Sequence, residues 1–157
     1  METKGLGEII GRHNLFAGLR QDFLDLVTGC AKNVRFKPGE YLCQEGNPAN
    51  ETFLVRTGKV ALEIAQSGVG RMTYQTAGPD EVIGLSWIVP PYRWTYDARA
   101  VEETRAISID AECLRNKCEA DCALGYEVMK RFMPIIVERL HSTRLQLLDV
   151  YGTRKST

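Results

Sequence analysis

The sequence is poor in histidine, has no cysteine pair spaced C-x-x-C, and contains no apolar run long enough for a bilayer. Its 157 residues include two histidines, His13 and His141, too few for the histidine-rich constellation of a metal-dependent dioxygenase barrel. There is no HExxH, no nucleophile elbow and no Walker loop, so the common hydrolytic and phosphoryl-transfer chemistries lack a carrier and an enzyme is not expected. No segment approaches the ~20 apolar residues that cross a membrane. The N-terminal METKGLGEIIGRHN has no apolar signal core, which points to a cytoplasmic protein. Lys plus Arg equals Asp plus Glu at 20 each, so no global field draws the chain to nucleic acid or an anionic membrane. The five cysteines, Cys30, Cys43, Cys113, Cys118 and Cys122, are odd in number and read as reduced thiols rather than a disulfide framework.

What is present is an ordinary globular composition, 44% hydrophobic and 25% charged, in a length that suits one domain spanning 1–157. Residues 13–110 read as a helix plus a rolled sheet, 111–150 as C-terminal helices and 151–157 as a tail. From Leu6 to Ala31 the pattern is helical, with Phe23, Leu24, Leu26, Val27 and Cys30 on one face. After Asn33 the period shortens. Turns at Lys37-Pro38-Gly39-Glu40, Glu45-Gly46-Asn47-Pro48, Gly58-Lys59 and Ser67-Gly68-Val69-Gly70 punctuate short strands, and VALEIA with RMTYQT makes a hairpin. Glu81–Gly84 and Tyr96–Val101 bracket an aromatic segment, and TRAISI closes the series. Strands this short, with turns every ten residues or so, predict a sandwich or barrel, here a jelly-roll or cupin-like double-stranded β-helix.

The helical period returns at Ala111 and runs to about Val150. Val128, Phe132, Ile136, Leu140, Thr143 and Leu147 form a stripe close to a coiled-coil seam, expected to join two copies of the chain. The alternative is that the stripe simply covers the roll. Pro134 cannot donate to the Lys130 carbonyl, so a kink or break is expected there.

This order of elements resembles the cyclic-nucleotide-binding domain of the Crp/Fnr regulator superfamily. The residues that carry the resemblance are FKPGEYLCQEGNPANETFLVRTGKVALE (Phe36–Glu63), GPDEVIG (Gly78–Gly84) and the return strand Ala98–Val101. The resemblance implies a mainly β fold with flanking helices, a small-molecule sensor or regulator, and a long C-terminal helix that dimerises and transmits the signal. It also implies a phosphate-binding cassette between Gly84 and Tyr96, with a short helix capped by Ser86. In relatives that bind cyclic AMP or cyclic GMP, a glutamate follows the cassette glycine and an arginine then pairs with the phosphate, followed by Ser or Thr. Here Leu85 follows Gly84, Trp94 stands at the arginine position, Arg93 lies one residue early, and Thr95 stands at the hydroxyl position. A one-residue shift in a strand turns a side chain to the opposite face.

Trp87, Tyr92, Trp94 and Tyr96 crowd this segment. They either line a remodelled pocket for a nucleotide-like or aromatic anionic ligand met by Arg93 or Arg99, or they fill the space themselves. The candidate ligand-binding set is therefore Gly84, Leu85, Ser86, Trp87, Arg93, Trp94, Thr95 and Tyr96, with no catalytic residue, no metal ligand and no resident cofactor. Cys118 and Cys122, at i and i+4, read as packing or surface cysteines, since a metal site needs about four ligands. Arg139, His141 and Arg144 read as a solvated or dimer-flanking face. Crp/Fnr transcription factors continue into a helix-turn-helix domain, and only Tyr151–Thr157 follow here. Direct DNA binding is thus not expected. Signalling through a partner protein or the chain's own dimer is, with a ligand-free interaction module or a truncated regulator as alternatives.

Overall fold

The computed structural model describes residues 2–155, with side chains from 5 to 152. Two helices lead, α1 (Glu2–Arg12) and α2 (Gln21–Thr28), where the sequence suggests one helix from Leu6 to Ala31. The division falls at 13–20, where His13 Nδ1 accepts from the Leu15 amide (3.2 Å) and Gly18 takes φ +81°. The local bond competes with the helical ladder, and the positive φ ends it.

Eight strands follow: β1 (Ala31–Phe36), β2 (Tyr41–Cys43), β3 (Glu51–Thr57), β4 (Val60–Gln66), β5 (Gly70–Ala77), β6 (Val82–Ile83), β7 (Asp97–Ala100) and β8 (Thr104–Asp110). They form two antiparallel four-stranded sheets, β1-β8-β3-β6 and β2-β7-β4-β5. The non-sequential neighbours are those of a jelly roll, and the β4–β5 hairpin pairs from Val60↔Ala77 to Gln66↔Gly70. The buried core includes Phe53, Leu54, Val55, Leu62, Ile83, Ala98, Ile107 and Ile109.

Two helices close the chain, α3 (Ala111–Ala120) and α4 (Cys122–Lys155). Asp110 caps α3 by accepting from the Cys113 amide (2.7 Å), and Asp121 Oδ1 accepts from the Ala123 and Leu124 amides at the start of α4. The α4 helix runs unbroken through Pro134 for 34 residues, or about 50 Å, so the expected break does not occur and the tail is helical to Lys155. None of the described helices is long and apolar enough to cross a membrane.

The α4 face divides at Pro134. Leu124, Val128 and Phe132 are buried in the chain's own core, so the first two residues of the expected dimer stripe, Val128 and Phe132, pack on the roll instead. Ile136, Leu140, Thr143 and Leu147 are exposed, as are Met133, Val137 and Leu148.

The cysteine expectation is also corrected. Cys30 and Cys113 are joined by a disulfide across 83 residues of sequence. Parity could not reveal it, because it is the β1–β8 register that brings the end of α2 onto the start of α3. Cys43, Cys118 and Cys122 are free.

Candidate functional site

The segment between β6 and β7 has the glycine bend that the sequence indicates. Gly84 has φ +108°, a region that favours glycine. A Cβ there would lie 2.6 Å from Trp94 Cη2 and 3.2 Å from the Glu51 carbonyl oxygen. Thr52 Oγ1 donates to the Gly84 carbonyl (2.9 Å), and the Gly84 amide donates to the Tyr96 hydroxyl (3.1 Å). The Gly84 amide is therefore already satisfied from within the chain. Burial raises the Tyr96 phenol well above its ordinary range, so it stays protonated.

Residues 85–91 form turns, not the short helix expected there. Pro90 and Pro91 have no amide hydrogen, and the residue before a proline disfavours the helical region, so four residues after the bend cannot propagate a helix. Ser86 accordingly caps no helix.

From Tyr92 the backbone runs against 46–49, with Ala49 donating to Tyr92 (2.7 Å) and the Trp94 amide to Asn47 (2.9 Å). Strand-like alternation then sorts the side chains. Trp94 and Tyr96 point inward and are buried, while Arg93 and Thr95 are exposed. Arg93 Nη1 donates to the Gly46 carbonyl on the outside (2.8 Å). The ring centroids of Trp94 and Tyr96 lie 6.2 Å apart, and Trp87 packs edge-on against Phe132 of α4 at 5.3 Å. Leu85 and Ser86 are half-buried. Of the two arrangements open to the aromatic residues, Trp87, Trp94 and Tyr96 have the buried rings of the filled one, and a hollow of about 290 Å3 that Asn47 and Glu51 also line still borders Trp94. Arg99, the other candidate for an anion, pairs with buried Glu63 at 2.9 Å. Behind Trp94, Asp97 accepts from the Glu45 amide (2.7 Å) and pairs with Arg71. Burial pushes the Cys43 thiol up to about 12, so it is an inert core group.

Open space lies one layer away. A cavity of about 430 Å3 separates the β5 edge and the 80–82 loop from α4, and Gln75, Val82, Arg131, Ile135, Arg139 and Ser142 are among its lining residues. Arg139 donates to the Val82 carbonyl, and Arg131 Nη1 to the Ala17 carbonyl (2.8 Å). Carbonyl partners leave a guanidinium's net charge in place, and Arg131 Nε is buried without a partner among the described residues. This lining was not foreseen. The basic run Arg139–Arg144 was the signal for it, but reading it as a solvated face missed that Arg139 turns inward. A hollow of about 760 Å3 between α1 and α2 is lined by residues of these helices and Gly29, none from the cassette or α4. Among the described residues, no group of three or more His, Cys, Asp or Glu is placed to hold a metal ion. Burial raises Cys118 to about 11.

The comparisons with known proteins agree with this fold. The chain is 28% identical over 149 residues to the CRP-like cAMP-activated global transcriptional regulator of Mycobacterium tuberculosis, covering 94% of this chain and 64% of that protein. It thus spans under two thirds of that relative's length. Its fold is similar to that of a cyclic nucleotide-binding domain from Methylobacillus flagellatus (TM-score 0.77, 18% identity, 94% of this chain and 83% of that one). It is also similar to the Thermus thermophilus catabolite activator protein (TM-score 0.69, 24% identity, 85% and 61%). The sequence pattern of the cyclic nucleotide-binding domain matches residues 33–121, more than half of the chain, which therefore belongs to the cyclic nucleotide-binding domain family.

Proposed function

We propose that this chain is a non-enzymatic sensory domain of a CRP-like regulator, whose ligand sits between the roll and α4 and whose output is the position of α4. The observation that carries this reading is the 430 Å3 cavity at that junction, within the ~300–1,000 Å3 of small-molecule sites. Lys130, Arg131 and Arg139 line it together with Asp80, Glu81 and Glu138, a mixed-charge lining in which the arginines would meet an anionic group of a nucleotide-sized ligand. Ordinary cyclic AMP or cyclic GMP binding in the cassette is disfavoured, because Leu85 accepts no ribose hydroxyl and Trp94 stands at the position of the phosphate-pairing arginine. The exposed residues Ile136, Leu140, Thr143 and Leu147 continue a 4-3-4 spacing suited to a homodimer seam. A ligand against Arg139 would act on the helix that carries this seam.

A second reading follows from the filled cassette: a ligand-free scaffold whose α4 docks a partner protein. Thermal-shift screening with cyclic mononucleotides, cyclic dinucleotides and aromatic acids separates the two. At a hundredfold excess over Kd a ligand contributes about 2.7 kcal/mol, or a Tm rise of about 5–10 °C. The sensor reading expects such a rise from an anionic probe, its loss in Arg139→Ala and its retention in Arg93→Ala. A flat response to every probe favours the scaffold.

A further inference from the structure

We propose that the Cys30–Cys113 pair is a thiol–disulfide exchange site that sets the position of α3 and, through Arg115, the closure of the cassette. The pair sits at a junction of three elements. Cys30 follows α2 and leads into β1, its carbonyl accepts from the Asp110 amide (2.9 Å), and Asp110 in turn caps Cys113 at the start of α3. One turn of helix therefore links the sulfur bridge to everything α3 touches. Arg115 Nη1 donates to the Trp87 carbonyl (2.8 Å), and its guanidinium lies 4.1 Å over the Tyr92 ring, both in the cassette. Lys117 donates to the Leu26 carbonyl of α2 (2.7 Å). Trp87 also packs on Phe132, so the same lever reaches α4.

Access is asymmetric. Cys30 is 8% exposed, while Cys113 is half-buried, and both line a hollow of about 360 Å3 with Lys32, Asn50 and Ser108. An incoming dithiol reductant, small or protein-borne, attacks Cys113 Sγ through its thiolate. The Cys30–Cys113 bond breaks, Cys30 leaves as a thiolate and takes a proton from solvent, and a mixed disulfide remains on Cys113. The reductant's second thiol then attacks its own bridged sulfur, forming the reductant's internal disulfide and releasing Cys113. Two electrons and two protons pass from the dithiol to the pair, and a disulfide oxidant of the same class reverses both steps. Cys113 sits in the first turn of α3, where amide dipoles favour its thiolate as the final leaving group. Cys43, by contrast, is buried with its thiol raised to about 12.

The test uses the full chain carrying Cys43→Ser, Cys118→Ser and Cys122→Ser, equilibrated in graded reduced and oxidised dithiothreitol. Alkylation with mass spectrometry counts free thiols, tryptophan emission reads the cassette, and far-UV circular dichroism reads the fold. A single two-electron transition is expected with the fold retained, emission moving at the same midpoint, and Tm falling by about 10 °C on reduction. Arg115→Ala is expected to keep the thiol transition and lose most of the emission change. Cys113→Ser, or Cys30→Ser if the first variant does not fold, is expected to hold the reduced emission in both buffers. The proposal is overturned if both thiols alkylate in fully oxidised buffer, if reduction occurs only as the fold is lost, or if emission ignores the thiol state.

Discussion

Gly84→Ala tests the filled cassette where two effects meet. The added Cβ would lie 2.6 Å from Trp94 Cη2 and 2.9 Å from Cζ3, on a backbone held at φ +108°. The backbone term is about 1–3 kcal/mol, and forcing a methyl into a packed core adds about 1–3 kcal/mol. Their sum of about 2–6 kcal/mol is a large part of the ~5–15 kcal/mol that stabilises a typical domain. A double-mutant cycle separates the two terms. Trp94→Ala alone leaves a cavity and costs about 3–5 kcal/mol. In the Trp94→Ala background the clash with the ring is gone, so Gly84→Ala there costs the backbone term and the 3.2 Å approach to the Glu51 carbonyl oxygen. The predicted coupling is about 1–3 kcal/mol, with the double variant more stable than the sum of the singles. Urea denaturation followed by far-UV circular dichroism measures all four corners. Additivity within about 0.5 kcal/mol would mean that Trp94 does not sit over Gly84, and the closed cassette would be refuted.

Three further outcomes follow from the same structure. Tyr96→Phe removes the acceptor of the buried Gly84 amide and should lower unfolding stability by about 1–3 kcal/mol; an unchanged urea midpoint would contradict the bond. His13 is buried, and desolvation lowers its pKa below the ordinary 6.5, with Asp80 opposing more weakly. The unfolded chain therefore binds the proton more readily, so stability is lost as pH falls below about 6.5. The stability of wild type relative to His13→Gln should shrink between pH 7.5 and pH 5.5, and a difference that grows would reverse the sign. Leu140→Glu places a charge on the exposed α4 seam and should shift sedimentation from dimer to monomer with the helical signal intact; a dimer that survives places the interface elsewhere.

The roll was legible because its turns are marked by residues with local reasons to turn. Pro38-Gly39, Gly46, Gly58 and Gly68 each close a strand, and all four glycines take positive φ. Apolar alternation did the rest in VALEIA, whereas the side to which Arg93 turns was left open, because the sequence does not say where the loop after Pro90-Pro91 becomes extended. Contacts between distant residues were not legible. The Cys30–Cys113 bridge, the Tyr96 hydroxyl on the Gly84 amide and the inward turn of Arg139 each depend on a register that no local pattern encodes. The single leading helix failed for a similar reason, because the His13–Leu15 bond competes with the helix from within it. On α4 the spacing was right and the assignment was divided, since one stripe serves the core at Val128 and Phe132 and leaves its distal half exposed.

Calorimetric titration of cyclic AMP into the wild-type chain tests the cassette most directly. With Leu85 in place of an acceptor and Trp94 seated over Gly84, the expected result is no saturable heat up to about 1 mM, a concentration at which binding is worth about 4 kcal/mol. A stoichiometric isotherm with a low-micromolar Kd that Arg139→Ala leaves unchanged would contradict it, because the ligand would then sit in the cassette, where Trp94 and Tyr96 are buried, and not against α4.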